Sequence, residues 1–258
     1  MHFLFAEDEV GQLWGDALAK AIIFGVFLAI LWRFSWLRAS GIRRLGKIKI
    51  WFVVAVIFIY HIVVNLYVFT GDVSFITSHS PLAVTNLAYY FLGSLLEEIM
   101  FRGLVLLAMV FAWGDTKRGL LKAAFLSSLL FGLMHLLNIG RIPVGAVLFQ
   151  VVGSALLGIL WAGLLLSTRS LWPAIVLHWL TNAAVNIKLI GIENFQETYM
   201  MRLILAILFI PLAAYGAYLV RKLPEDYKNQ LMGISVPSIL KSNDGLGKSL
   251  IETNSLGD

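Results

Sequence analysis

Long apolar runs separated by short polar connections dominate the chain. The runs cover about 17–37, 50–69, 82–113, 120–137, 144–166, 171–190 and 199–220. A helix of about 20 apolar residues crosses a bilayer, whereas a membrane β-barrel needs strict alternation of apolar and polar positions. The pattern therefore predicts an all-α fold: a polytopic transmembrane helical bundle of about seven spans, within a range of six to eight. The third run exceeds one crossing at about 1.5 Å per residue, which predicts a tilted or broken helix.

Composition agrees with this prediction. Of the 258 residues, 59% are hydrophobic and 14% are charged, and the mean hydropathy is +0.84. Soluble domains have roughly 25% charged residues, so an ordinary soluble fold is excluded, as is a disordered chain. The chain has no cysteine, which excludes thiolate catalysis, disulfides and cysteine-based zinc sites.

Basic residues follow a pattern that predicts topology. They concentrate in the connections 38–49 and 114–122, at Arg169, and at Arg221 and Lys222, all on the same side of a seven-span bundle. The positive-inside rule then predicts an outer N-terminus and a cytoplasmic C-terminal tail. The net charge of +5 is explained in this way, so no nucleic-acid partner is expected. We expect a multi-pass integral protein of a prokaryotic plasma membrane, with the lipid bilayer as its surroundings.

Three charged residues interrupt the third apolar run. Glu97, Glu98 and Arg102 lie in its middle, where each charge costs about 2.5–3.5 kcal/mol on insertion scales. Glu98 and Arg102 are four residues apart with the acid first, which favours an ion pair on one helix face. Glu97 is rotated by about 100° from Glu98 and must face a different partner. A carboxylate in that position is a candidate general base.

Two later runs add polar side chains to the membrane region. The fourth contains His135, and the sixth contains His178 and Asn182 one turn apart. A lone histidine in a membrane helix more often makes a structural hydrogen bond. His61 and Asn65 in the second run have the same four-residue spacing, so this pair alone is weak support for catalysis. The functional hypothesis depends on its combination with the charged cluster.

Several functions fit these residues. Glu97 could activate water while the imidazoles and the amide of Asn182 stabilise an oxyanion. Glu97, His135 and His178 could instead form a metal site of two histidines and one carboxylate, although the zinc-protease pattern His-Glu-x-x-His does not occur. A non-enzymatic immunity or scaffold protein, or a proton-coupled transporter, is also compatible with intramembrane Glu and His.

Three short motifs carry a family resemblance. They occur in this order on separate predicted helices: Glu97-Glu98-x-x-x-Arg102, Phe131-x-x-x-His135 and His178-x-x-x-Asn182. Over about 82–190 the chain resembles the CPBP family, also called Abi, of type II CAAX prenyl endopeptidases and bacteriocin-processing proteins. The resemblance implies an all-helical intramembrane protease acting on a membrane-associated peptide or protein, either prenylated or carrying a leader.

The resemblance also implies roles for the motif residues. Glu97 activates water. Three residues stabilise the oxyanion and position the water: His135, His178 and Asn182. Three others support them: Glu98, Arg102 and Phe131. The resemblance implies that no cofactor is required, although a divalent metal such as zinc is compatible with the older description of the family as metalloproteases. The oligomeric state is not predicted.

The predicted spans divide the chain and raise a geometric question. We expect N-terminal transmembrane helices in 1–81, the protease core in 82–220 and a polar cytoplasmic tail in 221–258. By these boundaries His178 lies near the cytoplasmic end of its helix, His135 lies far along its own, and Glu97 lies near mid-membrane. One site therefore requires tilted or staggered helices, or boundaries shifted by several residues.

Overall fold

A computed structural model describes residues 9–67, 81–191 and 198–233. Within these ranges the regular elements are helices, with a single β-bridge between Ile139 and Ile142. The α-helices are α1 (Glu9–Arg33), α2 (Ile48–Tyr67), α3 (Pro81–Glu98), α4 (Leu107–Trp113), α5 (Lys117–Met134), α6 (Val144–Thr168), α7 (Trp172–Gly191), α8 (Tyr199–Arg221) and α9 (Tyr227–Met232). A π-helix, Ile99–Leu106, joins α3 to α4, and a 3-10 turn, His135–Asn138, follows α5.

The helices follow the predicted apolar runs and confirm the all-α membrane bundle. The first helix begins earlier than predicted, at Glu9. The third run is continuous from Pro81 to Trp113, with the π-helix inside it. Four described helices are long and apolar enough to cross a membrane: Gly15–Arg33, Lys117–Asn138, Val144–Thr168 and Tyr199–Arg221. A shorter apolar helix covers Ile48–Val63. The full count of seven spans stays a prediction.

Exposed apolar stripes mark the surface that faces lipid. On α2, Phe52, Val56, Ile59 and Val63 are between 50% and 73% exposed, and their spacing places them along one face of the helix. Similar stripes occur on α1, α6 and α8. Such surfaces are unfavourable in water but are well solvated by lipid tails, so they support a membrane location.

Close backbone contact holds α6 against α8. A Cβ added at Gly163 would lie 2.8 Å from the Cα of Gly216, so only glycine fits this crossing. Small residues that let helices approach closely are typical of membrane interfaces. Farther along the bundle the Tyr60 hydroxyl of α2 donates to the Leu208 carbonyl of α8 at 2.7 Å. These contacts make α2, α6 and α8 a packed frame.

Several connections meet at one end of the bundle. Gly41 follows α1 and packs on the backbone of Arg169, between α6 and α7. Arg169 reaches Gln230 of α9, and Lys228 of α9 pairs with Asp115 between α4 and α5 at 2.8 Å. The basic connections are therefore neighbours, as the charge pattern predicts.

The remaining sequence-based boundaries are not tested by these contacts. The side of the membrane that the basic end faces stays a prediction, and so do the domain boundaries at 81 and 220. Residues 68–80 and 234–258, which include most of the predicted tail, lie outside the described residues.

Candidate active site

The charged cluster lies where α3 passes into the π-helix. Ser94, Glu98 and Arg102 follow each other at four-residue intervals and are at most 1% exposed. The side chain of Glu97 is 29% exposed, so the two adjacent acids have different surroundings. A π-helix is rare, and π-helical turns are frequent at functional sites. Here the π-helix begins at Ile99, directly after the two acids.

Glu98 contacts two cationic or ionisable partners at once. Its Oε1 lies 3.1 Å from Nη1 of Arg102 and 2.9 Å from Nδ1 of His178. The ion pair that the sequence spacing indicates is therefore present, but its histidine partner comes from α7. Because an ionised carboxylate only accepts hydrogen bonds, Nδ1 of His178 is the donor in this contact.

His178 connects the two acids. Its Nδ1 binds Glu98, and its Nε2 lies 3.7 Å from Oε2 of Glu97, beyond ordinary hydrogen-bonding distance. The imidazole is 3% exposed and is stacked on the indole of Trp161, with centroids 4.2 Å apart and an angle of 18° between the planes. A buried acid on one nitrogen and an aromatic face on the ring fix its orientation, so Nε2 points toward the more exposed acid.

Phe131 and Trp161 enclose the Arg102 guanidinium. Its Cζ lies 4.4 Å from the Phe131 ring centroid and 5.1 Å from that of Trp161, which are cation–π distances. Gly158 of α6 provides the space: a Cβ at this position would lie 3.1 Å from Nη2 of Arg102. The aromatic enclosure holds the cation beside Glu98 without a second carboxylate.

His135 is separated from His178 and its two acids by the phenyl ring of Phe131. Its Nδ1 is 3.1 Å from the Phe131 carbonyl, and its Nε2 is 3.5 Å from the hydroxyl of Ser154. Phe131 contacts both histidines edge-on, with centroid distances of 5.2 Å to His135 and 5.7 Å to His178. Among the described contacts, His135 is therefore connected to His178 through the phenyl ring of Phe131, which touches both imidazoles.

Asn182 contacts α3 from the same side of α7 as His178, one turn farther along the helix. Its Nδ2 donates to the buried hydroxyl of Ser94 at 3.2 Å, one turn before Glu98 on α3. His178 and Asn182 thus both face α3, as their four-residue spacing requires. The candidates from the third and sixth runs are brought together along one helix–helix contact.

Staggered helices explain how these residues meet. At 1.5 Å per residue, Glu97 lies about 24 Å from the end of α4, whereas His178 lies about 9 Å from the start of α7. The end of α4 and the start of α7 both lie at the basic end of the bundle. Because Glu97 and His178 nevertheless lie close together, the two helices must be tilted or offset along their axes. Stagger or tilt, rather than wrong boundaries, therefore resolves the difference in depth.

A cation from α1 lies near the exposed acid. The Nζ of Lys20 is 3.3 Å from the ring centroid of Tyr89, and Lys20 interacts electrostatically with Asp16 and Glu97. The first helix thus contributes charge to the open side of the site.

The alternative metal-ligand set is not assembled. Within residues 9–67, 81–191 and 198–233, no group of three or more His, Asp or Glu side chains is arranged to hold a metal ion. As placed among the described residues, Glu97, His135 and His178 do not form the proposed ligand set.

Sequence analysis missed three residues of this site on α6. Trp161 stacks on His178, Ser154 approaches His135, and Gly158 makes room for Arg102. Two signals were available: the small residues Ser154 and Gly158 at helical spacing, and a tryptophan inside an apolar run. Ser94 of α3 also belongs to the site, because its hydroxyl accepts a hydrogen bond from Asn182.

One comparison with known proteins finds a match that overlaps this site. Residues 78–184 match the family model described as type II CAAX prenyl endopeptidase Rce1-like. No curated protein and no solved structure matches the chain. The matched segment contains the charged cluster, both histidines and Asn182. Over residues 78–184, the chain is therefore similar to the Rce1-like type II CAAX prenyl endopeptidases.

Proposed function

We propose that this membrane protein is an endopeptidase in which Glu97 activates the attacking water. The observation that carries the proposal is the difference between the two adjacent acids. Glu98 is fully buried and bound to Arg102 and His178, whereas Glu97 is 29% exposed and lies beside the other nitrogen of His178. A general base must reach solvent and substrate, while a residue that orients a histidine need not.

The reaction then follows as a balanced sequence. The Glu97 carboxylate takes a proton from water as the oxygen attacks the peptide carbonyl carbon. The developing oxyanion accepts hydrogen bonds from the polar side chains around it, for which Asn182, His178 and His135 are the candidates. Because Nδ1 of each histidine already donates to Glu98 or to the Phe131 carbonyl, each imidazole fills this role from Nε2 as the imidazolium. The protonated Glu97 finally gives its proton to the leaving amine as the C–N bond breaks, and the carboxylate is restored.

Glu98, Arg102 and Phe131 have supporting roles in this scheme. Glu98 holds Nδ1 of His178, which leaves Nε2 for the reaction side. Arg102 balances the charge of Glu98, and Phe131 contacts both imidazole rings. We propose as substrate a membrane-associated peptide or protein, either prenylated or bearing a leader segment, cleaved near the membrane surface.

Glu97→Gln tests the role of the base. Cells that produce the wild-type chain or this variant are compared by mass spectrometry of membrane peptides, with Glu225→Gln as the control for charge loss at an exposed position. We expect an uncleaved precursor to accumulate only with Glu97→Gln. With that precursor purified, cleavage by the full chain in liposomes should fall by about 100-fold or more, the range for loss of a general base.

Other outcomes would contradict the proposal. Full cleavage by Glu97→Gln would remove the assigned role. A cellular phenotype unaffected by Glu97→Gln and His178→Ala would favour the non-enzymatic immunity or scaffold hypothesis. Proton-coupled uptake of a solute by proteoliposomes, without peptide cleavage, would favour the transporter hypothesis.

A further inference from the structure

A cavity at the basic end of the bundle lies apart from the charged cluster of α3. Its volume is about 710 Å³, within the range of small-molecule sites. The connection after α1, the end of α4, the turn between α6 and α7, and α9 together form its walls. Because these segments are distant in sequence, the cavity is a product of the fold rather than of one loop.

Three arginines line this cavity. Arg38 and Arg44 come from the connection after α1, and Arg169 comes from the turn between α6 and α7. Among the described residues that line it, none is an aspartate or a glutamate. The cavity therefore concentrates positive charge without a built-in counter-ion.

Arg169, the most buried of the three arginines, is held in position by neutral groups. Its Nη2 donates to Oε1 of Gln230 at 2.5 Å, and its Cζ lies 5.5 Å from the ring centroid of Tyr227. Arg169 also adopts a left-handed backbone conformation, with φ of 54°, at a position where helices commonly end in glycine. The guanidinium is thus oriented while its charge stays available to an anion.

Aromatic side chains form another part of the cavity lining, called the aromatic wall here: Phe34, Trp36 and Phe111. Trp36 lies 5.4 Å from Phe34 and 4.9 Å from Phe111, measured between ring centroids, and Phe34 is 58% exposed. This wall stands where α1 ends at Arg33 and α4 ends at Trp113. Aromatic side chains at helix ends are typical of the membrane–water interface.

We propose that this cavity binds the headgroup and upper acyl region of an acidic phospholipid of the bilayer. The arginines match the phosphate, and the aromatic wall matches the glycerol and the start of the acyl chains. Basic pockets at the membrane surface bind acidic lipid headgroups by this combination. A free phosphate has the same anionic chemistry but no apolar part for the aromatic wall. The site is independent of the proposed peptidase function.

A titration of the full chain in neutral detergent tests the proposal. The probes are short-chain phosphatidylglycerol, short-chain phosphatidylcholine and inorganic phosphate. We expect saturable binding of phosphatidylglycerol alone. Each basic side chain near an acidic lipid contributes about fivefold in affinity, so Arg38→Gln with Arg44→Gln should weaken binding about 25-fold.

The control is a double variant with the same change of charge. Lys117 and Arg118 lie at the same end of the bundle but do not line the cavity, and their change to Gln should alter affinity less than about threefold. Arg38 and Arg44 are exposed, and the Arg44 carbonyl that accepts from Ser170 is unaffected by side-chain replacement. The single variant Arg44→Gln, with an expected loss of about fivefold, provides a milder test of the same site.

Three results would overturn the proposal. Equal weakening by the control variant would show diffuse surface charge rather than a site. Equal affinity for phosphatidylcholine would show that the arginines do not select the headgroup. Equal affinity for inorganic phosphate would show that the cavity takes a free anion and not a lipid.

Discussion

Glu98 offers the sharpest test of how this site is held together. Its carboxylate is fully buried and contacts both Arg102 and His178. Glu98→Gln keeps the shape of the side chain but removes its charge, which leaves the buried Arg102 guanidinium without compensation. Removing one partner of a buried ion pair costs about 3–5 kcal/mol. We expect a loss of this size in the free energy of unfolding, measured by denaturant titration in detergent micelles.

The adjacent acid provides the matched control. Glu97→Gln makes the same chemical change one residue earlier, at a side chain that is 29% exposed and whose Oε2 lies 3.7 Å from Nε2 of His178. Exposed or loosely paired charges contribute about 0–1 kcal/mol. Glu97→Gln should therefore leave stability nearly unchanged while abolishing cleavage. Equal losses of stability in the two variants would refute the division between a structural and a reactive acid.

A double-variant cycle separates the ion pair from general effects of substitution. Glu98→Gln combined with Arg102→Gln removes both charges, so no buried charge is left without its partner. Replacing both partners costs less than removing one, and the coupling of contacting residues is about 0.5–3 kcal/mol. We expect the double variant to be more stable than the sum of the single losses indicates. Strict additivity would show that the 3.1 Å contact contributes nothing.

Three further predictions follow from other contacts. Trp161→Leu removes the ring stacked on His178 and should lower kcat/KM by up to about tenfold, the equivalent of one aromatic pair, whereas Trp161→Phe should retain most activity. Gly163→Ala should lower the free energy of unfolding by about 1–3 kcal/mol in denaturant titrations, because a Cβ meets the backbone of Gly216; unchanged stability would refute this close approach. Burial raises the pKa of Tyr227, so above about pH 10 the unfolded chain loses this proton before the folded one and stability falls. Unfolding titrations from about pH 8 to 11 should show a smaller alkaline loss for Tyr227→Phe, and identical slopes would contradict the prediction.

Local sequence patterns were sufficient for the helices and for the contacts made within a helix. Hydrophobic runs correspond to α2 and α5 through α8 within a few residues, and four-residue spacing indicated the pair of Glu98 and Arg102. The π-helix had no such signal, since its main chain differs from an α-helix without any change in hydrophobicity.

Contacts between helices could not be predicted from a single sequence. His178 and Glu98 are 80 residues apart. Neither motif specifies whether the imidazole binds Glu97 or Glu98. Trp161 was counted as one more apolar residue of its run, because its role depends on the ring that faces it. The His-x-x-x-Asn spacing recurs in α2, where His61 is buried against Phe209 of α8, with centroids 5.1 Å apart; the spacing alone does not specify which partner the imidazole contacts.

The glycine crossing of α6 and α8 sets the smallest fragment that can be expected to fold. The family match ends at residue 184. However, the helix α6 that carries Trp161 packs through Gly163 against Gly216 of α8, which lies outside the matched segment. On the opposite side, Gly41 docks on Arg169, which ties α1 and α2 to the turn that leads into His178. An expression fragment cut to the matched segment would expose both surfaces. Fragment design, and any transplant of these motifs into another bundle, must therefore include the helices before and after the segment that the motifs define.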